Sequence, residues 1–137
     1  MIRTVVLLAV LVLAAVAAGC DGTGAAAPGQ ADLGHGKQLF QGTCGGCHTL
    51  ADAGSHGTVG PNLDQSAVGD RISGMEKTSF EALVREQIAS PDPFGKMPAN
   101  LLKGADAQDV AAYVASVAGV KLAAQLKRQQ DVTTTPQ

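Results

Sequence analysis

The 137-residue chain contains no tryptophan, one tyrosine and three phenylalanines. Four aromatic rings (Phe40, Phe80, Phe94 and Tyr113) are few for a globular interior. Either a small Ala- and Val-rich core suffices, or a large planar cofactor fills the space. Basic residues are not in excess: ten Lys and Arg stand against twelve Asp and Glu, a formal charge of −2. That balance excludes the strongly basic footprint of a nucleic-acid binder. Charge of this size bears on solubility and on the choice of docking partner, not on fold. Alternating strand patterns are absent, and the length allows one small domain rather than two.

Long hydrophobic runs are missing except at the start. Residues 4–18 are apolar without interruption and follow Arg3, the pattern of a positive n-region and an h-region. The uncharged stretch from Thr4 to Cys20 is shorter than the roughly 20 residues that span a bilayer comfortably. Residues 1–19 are therefore expected to be a signal peptide, with a retained membrane anchor as the alternative. The run ends in Ala17-Ala18-Gly19-Cys20, which resembles a bacterial lipobox except that Ala17 stands where a larger aliphatic is usual. Cys20 is also the odd one of three cysteines, the other two forming a CxxC. It is the expected lipidation site, with ordinary signal-peptidase cleavage as the plainer alternative. Two or more acyl chains would hold the protein at a membrane stably. Residues 20–31 (CDGTGAAAPGQA) read as a flexible tether. Residues 121–137 begin as a helical extension and decay into DVTTTPQ, so this tail is expected to be largely disordered.

Between the tethers, residues 32–120 read as helices joined by Gly/Pro loops, an all-α domain. A short helix is expected near Asp32 to Thr43. A second opens on Thr78 and Glu81, a capping-box pair. It carries Phe80, Leu83, Val84, Gln87 and Ile88 at helical spacing and closes at Pro91. The last opens at Asp106, runs through Val110, Tyr113, Val114 and Val117, and stops at Gly119.

After the first helix stands Cys44-Gly45-Gly46-Cys47-His48. CxxCH is the sequence form of covalent c-type haem attachment. Two thiols add across the two vinyl groups of the ring, and a two-residue gap sets both sulfurs along one edge. The adjacent His48 then projects its imidazole toward the iron. Glycine at both intervening positions leaves the turn sterically free. A zinc site would need further Cys or His at ligand spacing, and only the scattered His35 and His56 are available. A thioredoxin-like dithiol would follow a strand in a βαβ pattern, which is lacking. A structural disulfide needs no further signal and is the plainest alternative.

From Gly36 to Tyr113 the sequence resembles the class I, single-haem c-type cytochromes. Gly36-Lys37-Gln38-Leu39-Phe40 is similar to the family's first helix, and Gly60-Pro61-Asn62-Leu63 to its loop on the histidine side. Met97-Pro98 is similar to its distal ligand loop, and Asp109 to Val114 to its closing helix. The resemblance implies three to four helices around one haem c, with Gly36 and Tyr113 meeting where the first and last helices cross. It implies that His48 ligates iron and donates its other ring N–H to the Pro61 carbonyl. The candidates for the sixth position are Met97, Met75, His35 and His56. Met97 is favoured because Pro91, Pro93 and Pro98 stiffen its loop, whereas Met75 suits gap-filling in a core. Phe40, Leu63, Phe80 and Phe94 are expected to wall the pocket.

A haem with both axial positions filled has no place for a small-molecule substrate. The resemblance implies a one-electron carrier rather than an enzyme, with transient redox proteins as donor and acceptor. It would work at the outer face of the cytoplasmic membrane, lipid-anchored through Cys20. The alternatives are a gas-binding or sensing module with a labile distal ligand, a peroxidase, or a subunit of a larger redox complex. The peroxidase would need an acid–base residue on an open iron face, and no His or Arg stands beside Met97.

Overall fold

The computed structural model describes residues 30–134. The expected signal peptide, most of the tether and the lipidation site at Cys20 lie outside the described residues. Among these, five α-helices and a two-stranded hairpin follow one another. Helix α1 (Leu33–Leu39) is capped by Asp32, whose carboxylate accepts the His35 amide, and runs directly into a π-helical turn, Phe40–Cys44. Such wider turns recur at functional sites. Here the Gly45 amide reaches back to the Phe40 carbonyl at 2.8 Å, and the turn delivers the chain to Cys44.

The hairpin pairs β1 (Thr49–Leu50) with β2 (Ser55–His56), antiparallel, Leu50 opposite Ser55. With two residues per strand it acts as a clip, not a sheet. Helix α2 (Leu63–Ser73) is capped by Asn62 and ends at Gly74, whose φ of 81° supplies the left-handed turn. Helix α3 (Lys77–Ala89) opens one residue before Thr78, where it was expected to start, and helix α4 (Gly104–Val117) two residues before Asp106. At α3 the Phe80 amide bonds the Glu76 carbonyl at 3.1 Å, so the first turn closes on backbone and Thr78 lies inside it.

The tail departs from expectation. Instead of fraying, the chain turns at Gly119 (φ 70°) and forms helix α5 (Val120–Thr134), which packs on α2 through buried Ala123. The turn is fixed by the Gly119 amide donating to Asp64 Oδ1 at 3.0 Å. A side chain at Gly119 would press on the Ala67–Val68 backbone at 3.0 Å, so the turn also needs the close approach that glycine permits. The run 104–133 is long and apolar enough to cross a membrane by composition. Its most apolar 18-residue stretch is 56% buried in the fold, as expected of a core helix.

Helix α4 is the centre, buried from Asp109 to Ala115. Helix α1 crosses it so closely that a Cβ on Gly36 would overlap the Asp109 carbonyl. Tyr113 packs edge-on against Phe40 at 6.0 Å beside this crossing. First and last helices of the family-like domain thus cross as the resemblance implied, with α5 added beyond them. On the opposite side Arg71 lies 4.6 Å over the Phe80 ring and donates to the carbonyls of Ala115 and Ala118. It closes the C-terminus of α4 where four carbonyls lack helical partners.

A polar fastening completes the crossing. The buried Asp109 accepts the Asp32 amide on one oxygen and faces His35 Nδ1 at 2.9 Å on the other. That bond to Asp109, then the nearby charges of Asp106 and Asp32, raise the His35 pKa above its ordinary value of 6.5. A raised pKa means the folded state binds the proton more tightly. The stabilisation is complete below the unfolded pKa and is lost as pH rises through the folded one. The stability lost on His35→Gln should therefore be greatest near about pH 5.5 and shrink by about pH 8.5. Urea midpoints of both proteins across that range check this; a difference independent of pH would disconnect His35 protonation from folding.

Candidate haem site

A cavity of about 640 Å³ opens between the CxxCH segment and helices α3 and α4. One wall carries Cys44, Cys47 and His48, and Met97 reaches it from the loop after α3. The other walls are apolar. Val84 and Ile88 stand one turn apart on α3, and Val110 and Val114 one turn apart on α4. These four pairwise-spaced residues belong to the apolar stripes legible in the sequence, where they read as core.

Of the expected walls, Phe40 and Leu63 line the cavity and two do not. Phe80 does not line the cleft: it is buried beneath Arg71, one turn before Val84 on the same face of α3. Phe94 is 96% exposed. Its loop is pulled into a tight turn by the Asp92 carboxylate accepting the Phe94 amide, which directs the ring outward. Val59 and Leu101 line the cavity without having been singled out, and each is also partly open to solvent. Isolated apolar residues in loops carry no periodic signal that would have marked them.

The four residues weighed for the sixth position separate cleanly. Met97 lines the cavity. Met75 is half-buried against the core cluster, His56 lies exposed on β2, and His35 is engaged at the helix crossing. Among the described residues no group of three or more His, Cys, Asp or Glu gathers as a metal site.

His48 is held from several sides. Its Nδ1 is 3.0 Å from the Pro61 carbonyl oxygen. A carbonyl can only accept, so Nδ1 carries the proton and Nε2 keeps its lone pair for a metal. The neighbouring Gly60 lies flat against the ring: a Cβ there would stand 2.5 Å from Cε1 and 2.8 Å from Nδ1. Gly60 also donates its amide to the Cys47 carbonyl at 2.9 Å. Cys44 and Cys47 are not joined in a disulfide, so both sulfurs are available for attachment. Burial, with help from the neighbouring Cys47, pushes the Cys44 thiol up to about 11. It is a neutral thiol in an apolar wall, suited to addition across a vinyl group rather than to holding a cation. The donor set and the apolar slot fit a haem.

Residues 34–118 match the family model described as cytochrome c. The chain belongs to the cytochrome c family. It is a class I c-type cytochrome, with one covalently bound haem c and an electron-transfer role among redox proteins. A solved structure similar to this cytochrome is the c-type cytochrome SorU from Sinorhizobium meliloti. The two are 36% identical, over 64% of this chain and 91% of that one, with a TM-score of 0.49. No curated protein matches.

Gly60→Ala tests the clamp on the imidazole. The added methyl must displace the ring or the Pro61 loop, costing about 1–3 kcal/mol in overpacking and about 1 kcal/mol in the lost hydrogen bond. The variant should melt earlier and show an altered haem absorption spectrum. Gly69→Ala, where an added methyl meets nothing within 4 Å, should leave the spectrum unchanged and gain up to about 1 kcal/mol from helix propensity. Identical spectra for Gly60→Ala and wild type would show that Gly60 does not bear on the ring.

Proposed function

We propose that this cytochrome carries single electrons between redox proteins on a haem held by thioethers at Cys44 and Cys47, with His48 and Met97 as axial ligands. The observation that carries the reading is the placement of Met97: of the four weighed residues it alone lines the cavity that His48 faces. Bound there, the haem supplies a one-electron iron couple, which a thioether ligand tunes to higher potential.

The chain's own residues do the rest. Pro61 and Gly60 keep the imidazole in one tautomer and one plane. Val84, Ile88, Val110 and Val114 exclude water from the cleft. The Met97 loop is tied back by the Asn100 amide, which donates to the Ile88 carbonyl at 2.8 Å at the end of α3. Ligands that stay in place on both sides allow electron exchange with little rearrangement, and they leave no site for a small-molecule substrate. Between residues 32 and 120 ten acidic residues stand against six basic ones, and Lys96 and Asp92 both line the cleft. Electron-transfer partners use small, weak interfaces that separate quickly.

Met97→Ala tests the ligation. The oxidised wild type should show the weak absorption band at the near-infrared edge that Fe(III)–thioether bonding produces. The variant should lose that band, bind carbon monoxide, and fall in reduction potential by on the order of 0.1 V, part of the roughly 0.8 V range that axial ligands span. Met75→Ala should change none of these and should cost about 1–2 kcal/mol of core packing. Rapid carbon monoxide binding by the wild type would replace this reading with a gas-binding one.

The second part of the proposal is location. Residues 20–31 would tether the domain to the outer face of the cytoplasmic membrane through acyl chains on Cys20. A tether raises the effective concentration of membrane-bound partners without adding contacts. Labelled palmitate fed to a bacterial host should enter the wild-type precursor and fail to enter Cys20→Ala. An unlabelled, soluble wild type beginning near Ala18 would show ordinary cleavage instead.

A further inference from the structure

The hairpin after the CxxCH motif is too short to build a core, yet its contacts converge on one point. Ser55 is buried. Its Oγ lies 2.9 Å from the Leu50 amide nitrogen and 2.9 Å from the His48 carbonyl oxygen. The amide donates to the hydroxyl, and the hydroxyl donates to the carbonyl; the Leu50 carbonyl stands farther off at 3.4 Å. One side chain thus serves two backbone groups on the downstream side of His48. Upstream, the His48 amide is tied to the Cys44 carbonyl at 2.9 Å. The base of the hairpin is braced against the same segment. Thr49 Oγ1 donates to the Gly57 carbonyl at 2.9 Å, and Gly57 lies so close to Cys47 that a Cβ would overlap its backbone.

We propose that Ser55 is a positioning residue for the His48 imidazole, fixing the peptide plane that leaves His48 and so the direction in which the ring enters the cavity. The inference rests on the reading of His48 as an axial ligand. Pro61 and Gly60 act on the ring itself: one sets the tautomer and rotation, the other closes a face. Gly60 also ties the peptide plane that enters His48, through the Cys47 carbonyl, but neither holds the plane that leaves it. Ser55 does, through the carbonyl. Leu50 is wholly buried. Removing the hydroxyl therefore leaves a buried amide without its acceptor, a loss that backbone movement at residues 48–50 relieves. Such movement turns the ring.

The test uses the full-length haem-loaded protein and compares Ser55→Ala, Ser55→Val and Ser55→Thr. Val and Thr have the same shape and differ in the hydroxyl, so that pair decides the matter even where Ala folds poorly. The readouts are the electron paramagnetic resonance g-values of the oxidised state, the paramagnetically shifted His48 ring protons, and hydrogen exchange at the Leu50 amide. Val and Ala should shift the g-values and ring resonances and speed Leu50 exchange about fivefold, the factor implied by one hydrogen bond of ordinary net strength. Thr should restore wild-type behaviour. His35→Gln, which loosens the distant helix crossing, should lower stability and leave the g-values unchanged. A Val variant that melts early but keeps wild-type g-values and ring shifts would confine Ser55 to holding the hairpin, and the proposal falls. So does a wild-type Leu50 amide that exchanges at the rate of an unprotected one. Wild-type His48 ring protons lacking any paramagnetic shift would instead overturn the axial reading itself.

Discussion

A cleft with apolar walls must be held open, and the rest of this fold follows from that requirement. Most small domains bury their large apolar side chains against one another. Here Val84, Ile88, Val110 and Val114 face a cavity of about 640 Å³. With four aromatic rings in the chain and one of them exposed, little apolar bulk remains to hold the helices together. The largest fully buried side chains are Phe40, Leu50 and Val110. Helix contact is obtained by closeness instead: Gly36 brings α1 onto the α4 backbone, and Gly119 brings the α4–α5 turn onto α2.

Polar side chains then fasten what apolar packing cannot. Asp109 joins Asp32 and His35 at the crossing. Asp52 accepts from Tyr113 at 2.8 Å and from Lys37 at 3.1 Å, linking the hairpin turn to α4 and α1. Those two donors hold the Asp52 carboxyl below its usual range, while burial and the same bond push the Tyr113 phenol up. Asp64 ties the Ala51 amide to that of Gly119, and Arg71 holds the last carbonyls of α4. Each bridge connects segments more than a dozen residues apart, the shortest being the Asp64 bond to Ala51, which spans 13. No buried side-chain polar atom among the described residues lacks a partner. Satisfied buried polar groups specify one arrangement, since any slip leaves a donor or acceptor unpaired.

What the sequence shows of this depends on whether a residue's role is local. Cys44, Cys47 and His48 are bound together by the spacing of their chemistry, and the structure puts all three on the cavity wall. The Gly36–Tyr113 contact and the Pro61 carbonyl came through family resemblance, and both are present. Helix α2 was missed because Leu63–Ser73 buries Ala67 alone and has a glycine inside, so it shows no apolar stripe. The tail was misread for a related reason. Its first residues read as a helical extension, but that the helix continues and docks on α2 depends on the Asp64–Gly119 bond and on packing, which local propensity does not announce. Phe94 looked like a wall because it is aromatic and near Met97, but an Asp92 turn two residues long decides where it points. The hairpin was invisible: two-residue strands have no period to read.

The two faces of the cleft are held very differently, and this bears on how a carrier behaves. On the histidine side, backbone, ring tautomer and ring face are each constrained by a separate partner no more than 13 residues from His48. On the Met97 side the loop is exposed at most positions, and its ties are the Asp92 turn and the Asn100 amide. Local opening free energies are lowest where few buried contacts and many exposed backbone bonds occur. Under the proposed ligation, the Met97 loop is therefore the part that opens first as the protein is stressed, while His48 and the covalent attachment persist. The prolines at positions 91, 93 and 98 counter this by lowering the entropy that opening would release. The balance sets the boundary between an electron carrier and a gas binder.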